Sequence, residues 1–287
     1  MFVIACLPAG NYGTNAAATV ANNMLRTFPA IRFGLMVGIG GGIPNLEKGI
    51  DIRLGDVVIS QPDGTHGGVI QHDLGKDLGG HFERKGFLQP PPTVLLTALS
   101  TLQSKHDLEG SQIPSLLDVM IKQNPKLAKS GYGCPPPTTD ILYCAHDRSI
   151  YMNVTKCMQC EDGVIQRSNR DDQYPVIHYG VIASGNTLVK NDAERDQLGA
   201  DLGAKCVEME AAGLMNDFPC LIIRGICDYA DAQKNDIWQK YAATTAAAFA
   251  KELLSVVPPS DVASTSRAAD TMSKSNQTPI ITQSKPR

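Results

Sequence analysis

Five carboxylates fall in one short stretch, Val207–Asp231, which reads VEMEAAGLMNDFPCLIIRGICDYAD, and three of them, Glu208, Glu210 and Asp228, are placed to do chemistry. Glu208 and Glu210 flank Met209 ahead of a run of small residues. Asp228 follows the apolar segment Pro219–Ile223 and Arg224. A carboxylate pair can grip hydroxyl groups or stabilise a developing cation, and a third acid at a strand end can move a proton. In open α/β sheets ligands bind outside the carboxyl ends of strands, so the spacing predicts one crevice shared by Asp228 and the glutamates. Each acid also has a purely structural use. Glu208 and Glu210 suit a helix N-terminus, where the macrodipole favours negative charge, and Asp228 suits a strand-end cap.

A second candidate is the run Gly38-Ile39-Gly40-Gly41-Gly42 after an apolar segment. A dinucleotide fingerprint needs its third glycine where Ile43 stands and a helix where Pro44 stands. A P-loop needs a Gly-Lys-Ser/Thr ending that is missing. What is left is backbone that a ligand can approach closely, with amides free for an anion or a sugar, or else a tight turn between strands. His66, His72 and Asp73 fall in the glycine-rich stretch Asp63–Lys76, a hairpin or flap in which both histidines read as solvent-exposed. Cys157-Met-Gln-Cys160 has zinc-knuckle spacing, but only Cys144 and His146 lie near enough to complete a ligand set. The expectation is no metal, with Cys157 and Cys160 as weak candidates. Cys6, Cys220 and Cys227 sit in apolar segments and read as small buried hydrophobes in a reducing, cytoplasmic setting.

These groups need a scaffold, and the chain supplies the pattern of one. Phe2–Leu7 reads as a strand, Thr14–Phe28 as an Ala-rich helix and Ile31–Ile39 as a strand, a βαβ unit that implies parallel pairing. Further helices are predicted at Pro90–Gln103, Ile113–Asn124, Asp192–Leu202 (capped by Asn191 or Asp192), Ala211–Phe218 and Asp236–Val257. Strands are predicted at Asp56–Ser60, Val176–Ser184, Gly203–Glu208 and Pro219–Arg224. Residues 1–257 form one domain interrupted by an irregular insertion at about 125–175. Residues 258–287, rich in Ser, Thr, Lys and Pro, read as a disordered tail or linker.

Composition closes off other classes. Of 287 residues 43% are hydrophobic and 19% charged, a globular balance, and the net charge of -3 comes without a basic block that would suit nucleic acid. No apolar run reaches the roughly 20 residues of a membrane span. The apolar start lacks a basic n-region, so it reads as a strand and not a signal peptide.

VEMEAAG…RGICDYAD, preceded by VIASGNTLVKND and by VGIGGG…LGDVVIS, resembles the purine/uridine phosphorylase superfamily from about Ile4 to Leu254. The wording ACLPAG, MVGIGGGIP and CLIIRGICDYADAQKN is similar to the nucleoside-phosphorylase-like domain of fungal NOD-like receptor and ankyrin-repeat proteins. The resemblance implies an α/β fold, a three-layer α/β/α sandwich around a mixed sheet. It implies cleavage of the N-glycosidic bond of a purine nucleoside, without a cofactor and with water or phosphate as nucleophile. Glu210 then holds the ribose hydroxyls, with Met209 under the sugar and Glu208 nearby. Asp228 protonates or hydrogen-bonds purine N7, in a crevice apolar enough to raise its pKa. Leu188 stacks on the base, Val189 reads its edge by backbone, and Gly38, Gly40 and Gly41 lie beside the nucleophile. A homo-oligomer is implied as well, together with further receptor domains beyond this chain.

Two departures qualify that expectation. The family's phosphorylases carry an Arg and a Ser or Thr around this glycine run, where Met36 and Ile39 stand here. An apolar pair cannot hold phosphate, so hydrolysis is expected over phosphorolysis. The family's first strand and its loop also have no counterpart before Phe2. A receptor's nucleoside-sensing module without turnover is the rival reading, and a plain carbohydrate- or anion-binding domain a third.

Overall fold

Cys220–Asp228 alternates its side chains between two apolar layers, and this strand forms the spine of the molecule. The computed structural model describes residues 2–79, 82–144, 160–161, 163–218 and 220–270. The elements in chain order are α1 (Thr14–Thr27), β1 (Gly34–Gly42), β2 (Val57–Ser60), β3 (Val69–Gln71), β4 (Gly75–Asp77), β5 (Phe82–Arg84), α2 (Thr93–Glu109), α3 (Ile113–Gln123) and a single turn, α4 (Pro125–Leu127). After them come β6 (Cys160–Glu161), β7 (Val164–Ile165), β8 (Ile177–Gly180), β9 (Ile182–Ser184), α5 (Asp192–Leu202), β10 (Cys206–Glu208), β11 (Cys220–Asp228), α6 (Gln239–Ser255) and α7 (Pro259–Ser264).

Seven strands make one mixed sheet in the order β3-β9-β10-β1-β11-β2-β8. β1 and β11 run parallel, whereas β10 and β2 run antiparallel to their neighbours β1 and β11. The sheet lies between two helical layers. Cys220, Ile222 and Ile226 pack with Ala17, Ala21 and Leu25 of α1 on one face. Leu221 and Ile223 pack with Leu99, Ile113, Phe249 and Leu253 of α2, α3 and α6 on the other. This is the α/β sandwich implied by the motifs. The period-2 split along β11 is what buries both of its faces.

β2 is tied down at its base by Asp56. The Asp56 carboxylate accepts from Arg170 (2.7 Å from Nη1), His178 Nε2 (2.9 Å) and the Val176 amide (2.9 Å). Burial alone would raise this acid. The Arg170 and His178 bonds outweigh it and hold Asp56 below the ordinary carboxylate range.

Several sequence expectations change here. Phe2–Leu7 joins no strand, and Phe2 and Ile4 stand 78% and 89% exposed. Cys6 is exposed too, while Cys220 and Cys227 are buried as expected. Gly38–Gly42 is not a turn after a strand but the second half of β1 itself. Val176–Ser184 is not one strand: it breaks at Val181, so that β8 pairs with β2 and β9 with β10 and β3. The helix expected over Ala211–Phe218 is a single 3-10 turn, Ala211–Gly213. α5, in contrast, begins where expected, with the Asn191 side chain accepting from the amides of Ala193 and Glu194.

The largest change is beyond Pro258. Pro259 at a helix start and Asp261 in its first turn build α7, and Ala268 is fully buried with its amide bonded to Ile31 O at 2.8 Å. Residues 259–270 are therefore packed structure, not tail. Residues 271–287 lie outside the described residues. So does Cys157, and Cys144 is disulfide-bonded, which removes it as a thiolate ligand.

Candidate active site

The acids meet at the glycine half of β1. Asp228 ends β11 opposite Gly41, and Glu208 ends β10, whose Val207 also lies opposite Gly41. Because β10 runs against β1, the two acids do not share a common carboxyl edge. They converge because β10 leaves β1 after two register pairs, Gly41 with Val207 and Gly42 with Cys206, and opens a cleft beside the rest of the strand.

That cleft is a cavity of about 2060 Å³. Its lining includes every residue proposed from sequence: Gly38, Gly40 and Gly41 on β1, Leu188 and Val189 after the Gly185–Thr187 turn, and Glu208, Met209, Glu210 and Asp228. Leu188 is largely exposed at the mouth and Val189 is buried. The turn that carries them is pinned from two sides. Asn186 Oδ1 accepts from both the amide and the hydroxyl of Thr14 at 3.0 Å, and the Asn186 amide donates to Asp73 Oδ2 at 2.6 Å.

Arg224 organises the glutamates. Its Nη2 donates to Glu208 and, at 3.1 Å, to Glu210 Oε2, while Nη1 reaches Ile39 O at 3.4 Å. Burial pushes the guanidinium down, but Glu208 and Glu210 outweigh that and hold it above its ordinary value. Glu208 is then fully engaged, accepting also from the amides of Glu210 (3.0 Å) and Ala211 (3.1 Å). Glu210 is the less buried of the two and takes only the Gly13 amide besides Arg224. Gly38 is glycine because a Cβ there would fall on the Arg224 guanidinium.

Asp228 is held differently. Its Oδ1 accepts from the Ala230 amide at 2.8 Å, which fixes Ala230 in a left-handed backbone (φ 51°). Oδ2 faces Lys234 Nζ at 3.2 Å and the Cys227 thiol at 3.2 Å. The apolar crevice expected around this acid thus contains an ammonium. The Cys227 thiol beside it is raised first by burial and then by Asp228.

Sequence reading missed three parts of this site: the double bridge from Arg224, the Lys234 contact, and the Thr14–Asn186–Asp73 clamp. Arg224 and Lys234 had one local signal, their nearness to Asp228 in sequence. The clamp joins residues too far apart to show one. His66 is exposed as expected, but His72 is half-buried against Gly185 and lowered by burial, against the pull of Asp73. Neither histidine lines the cavity. Among the described residues no group of three or more His, Cys, Asp or Glu is placed to hold a metal ion, and no helix is long and apolar enough to cross a membrane.

A mixed sheet sandwiched by helices, with a cleft of carboxylates and glycines beside its central strand, defines a class. Residues 127–255 match the phosphorylase superfamily. The chain is 47% identical over 257 residues to a nucleotide-binding leucine-rich repeat (NLR)-like protein of Hyaloscypha variabilis, covering 90% of this chain and 25% of that one. It is 32% identical over 89 residues to the 5'-methylthioadenosine/S-adenosylhomocysteine nucleosidase of Mycobacterium bovis, covering 29% of this chain and 35% of that protein. The solved structure of the futalosine hydrolase of Helicobacter pylori shares the fold, with a TM-score of 0.50 at 18% identity over 85% of this chain and 76% of that one. Over residues 127–255 in sequence, and in its fold, the chain is similar to the phosphorylase superfamily. The matched region spans about a quarter of the NLR-like relative and about a third of the nucleosidase.

Proposed function

We propose that the cleft binds a purine nucleoside and cleaves its N-glycosidic bond, with water as the nucleophile. The observation that carries this is the joint lining of one cavity by Glu210, Met209, Asp228, Leu188 and Val189. Glu210 is the carboxylate with capacity left for ribose hydroxyls, since Glu208 is engaged within the protein. As the bond breaks the ribose becomes cationic, and a fixed carboxylate against it lowers the barrier. Asp228 faces the base. The leaving purine gains negative charge, which a proton at N7 relieves. The Lys234 ammonium pairs with Asp228 at 3.2 Å, and it must shift as the base enters.

The apolar wall of β1 supports water over phosphate. Met36 and Ile39 line the cavity and offer a phosphate no donor side chain, and Arg224, the cation beside Gly38, is engaged by both glutamates. An oxocarbenium-like sugar is stabilised by the carboxylate of Glu210. A homo-oligomer in the cytoplasm, without a cofactor, completes the proposal.

The test gives purified protein adenosine, inosine and methylthioadenosine and follows free base by chromatography. Base release without added phosphate is the expected result, and release only with phosphate would overturn the choice of nucleophile. Asp228→Asn abolishes release while largely sparing binding. A second reading has its own support: the 47% identity is to an NLR-like protein, so the domain would sense a nucleoside within a larger receptor. Measurable binding with no release from any of the three nucleosides decides for it.

A further inference from the structure

Lys234 stands at the acid proposed to face the base. Its Nζ is 3.2 Å from Asp228 Oδ2, and both residues line the cleft. The side chain is only 19% exposed. Its backbone amide bonds to Asp231 O at 3.4 Å, in a turn where the Asp231 carboxylate accepts from the Gln233 amide at 2.9 Å. Among the described residues Asp228 is the one ion-pair partner of this ammonium, which leaves donors for a ligand. The other cations on the cavity wall are placed differently. Arg224 is held by the two glutamates, Arg32 donates to Thr265 O, and Lys190 and Lys251 are exposed. Among the described residues none of these four pairs with Asp228.

Asp228 has one oxygen to give a purine. Oδ1 accepts from the Ala230 amide at 2.8 Å, whereas Oδ2 lies beside Lys234 Nζ and Cys227 Sγ, two residues that line the cleft. On the matching edge of a purine, N7 and the C6 substituent stand side by side. A 6-oxopurine shows two acceptors there, N7 and O6, and a 6-aminopurine shows the N7 acceptor next to an N–H donor. Oδ2 carrying the proton meant for N7, with an ammonium at its side, presents two adjacent donors. They fit N7 and O6 together. The same pairing makes Arg or Lys across N7 and O6 the commonest specific contact to guanine. A 6-amino group would instead meet Nζ, donor against donor, and the oxygen that could accept from it is committed to N7. The Cys227 sulfur is only a weak acceptor, and a donor left unpaired in a buried site is costly. The move that Lys234 makes on base entry is then short, from Oδ2 to the atom next to N7.

We propose that Lys234 reads the C6 substituent and makes the cleft selective for 6-oxopurine nucleosides over 6-aminopurine ones, an inference that rests on the nucleoside reading of the cleft. Calorimetric titration of the full chain tests it, with wild type and Lys234→Met each given inosine, adenosine and purine riboside, which carries only hydrogen at C6. The wild type should bind inosine at least about tenfold more tightly than adenosine, and Lys234→Met should bind the two within about threefold of each other. Purine riboside should bind to both proteins. Equal affinities in the wild type, a preference for adenosine, or a preference that survives Lys234→Met would overturn the proposal and leave the nucleoside reading in place. Loss of purine riboside together with inosine in Lys234→Met would overturn it as well, because Lys234 would then hold the site together without reading C6. Wild type that binds none of the three would overturn the nucleoside reading itself.

Discussion

β1 and β11 are parallel neighbours of nine residues each, in register from Gly34 with Cys220 to Gly40 with Ile226, after which a bulge at Cys227 sets Gly41 opposite Asp228. Every residue of β11 is buried, it is paired on both edges, and it holds a single glycine. β1 has five glycines, is buried only at Gly40–Gly42 and is paired along one edge. The difference is complementary. Arg224 lies over Gly38, and a Cβ on Gly41 would stand 2.9 Å from Ala230 Cβ and 3.0 Å from Asp228 Oδ1. One strand presents the charged groups and the other yields the volume they occupy. A glycine-rich central strand is therefore the mark of a crowded neighbour as much as of a ligand loop.

Substitutions that remove what β11 contributes should have the largest effects. Arg224→Met leaves Glu208 and Glu210 without their cation, and breaking a buried pair in this way costs about 3–5 kcal/mol. Urea unfolding should show that loss. A loss below about 1 kcal/mol would mean that the bridge contributes little. Next comes Ile223→Ala, a fully buried truncation expected to cost about 2–5 kcal/mol by the same measurement.

Acid tests the far edge of β11 through Asp56. Its folded-state pKa lies below the unfolded value of 3.8, so its stabilising effect is present above that value and disappears as pH falls through the folded one. The melting temperature should drop more steeply below about pH 4 in the wild type than in Asp56→Asn. Parallel curves would remove Asp56 from the acid response. The smallest effect belongs to Val37, the register partner of Ile223 and 40% exposed. Val37→Ala should cost about 1 kcal/mol or less by urea unfolding. A cost above about 2 kcal/mol would mean that this edge of β1 is covered in solution.

How much of this was legible in the sequence follows the same division. Local chemistry was legible: the Asn191 cap of α5, the apolar alternation of β11, and the acids whose neighbours in sequence are also their neighbours in space. What was not legible depends on distant partners. Gly38–Gly42 reads as a turn until β11 pairs with it and makes it a strand. Val176–Ser184 reads as one strand because its composition never changes, yet β2 and β10 claim its two halves. Phe2–Leu7 has the apolar residues of a strand but no ladder to join among the described residues. Residues 259–270 look like a linker because their few apolar residues, Val262, Ala263, Ala268 and Ala269, are small, and Ala268 needs only a small cleft to be buried completely.

The buried thiols have a practical consequence. Cys206, Cys220 and Cys227 lie within the sheet, protonated and shielded, whereas Cys6 and Cys134 are exposed. Alkylating reagents attack the thiolate, so among the described cysteines native protein should label first at Cys6, more slowly at Cys134, whose thiol burial raises, and not at the three in the sheet. The molecule thus carries a graded set of chemical clocks. Cys6 reports on the wall of the cleft, Cys206 on the strand beside the glycines, and Cys220 on the foot of β11. The order in which they become reactive under denaturant would tell which part of the sheet opens first, without any probe being engineered in.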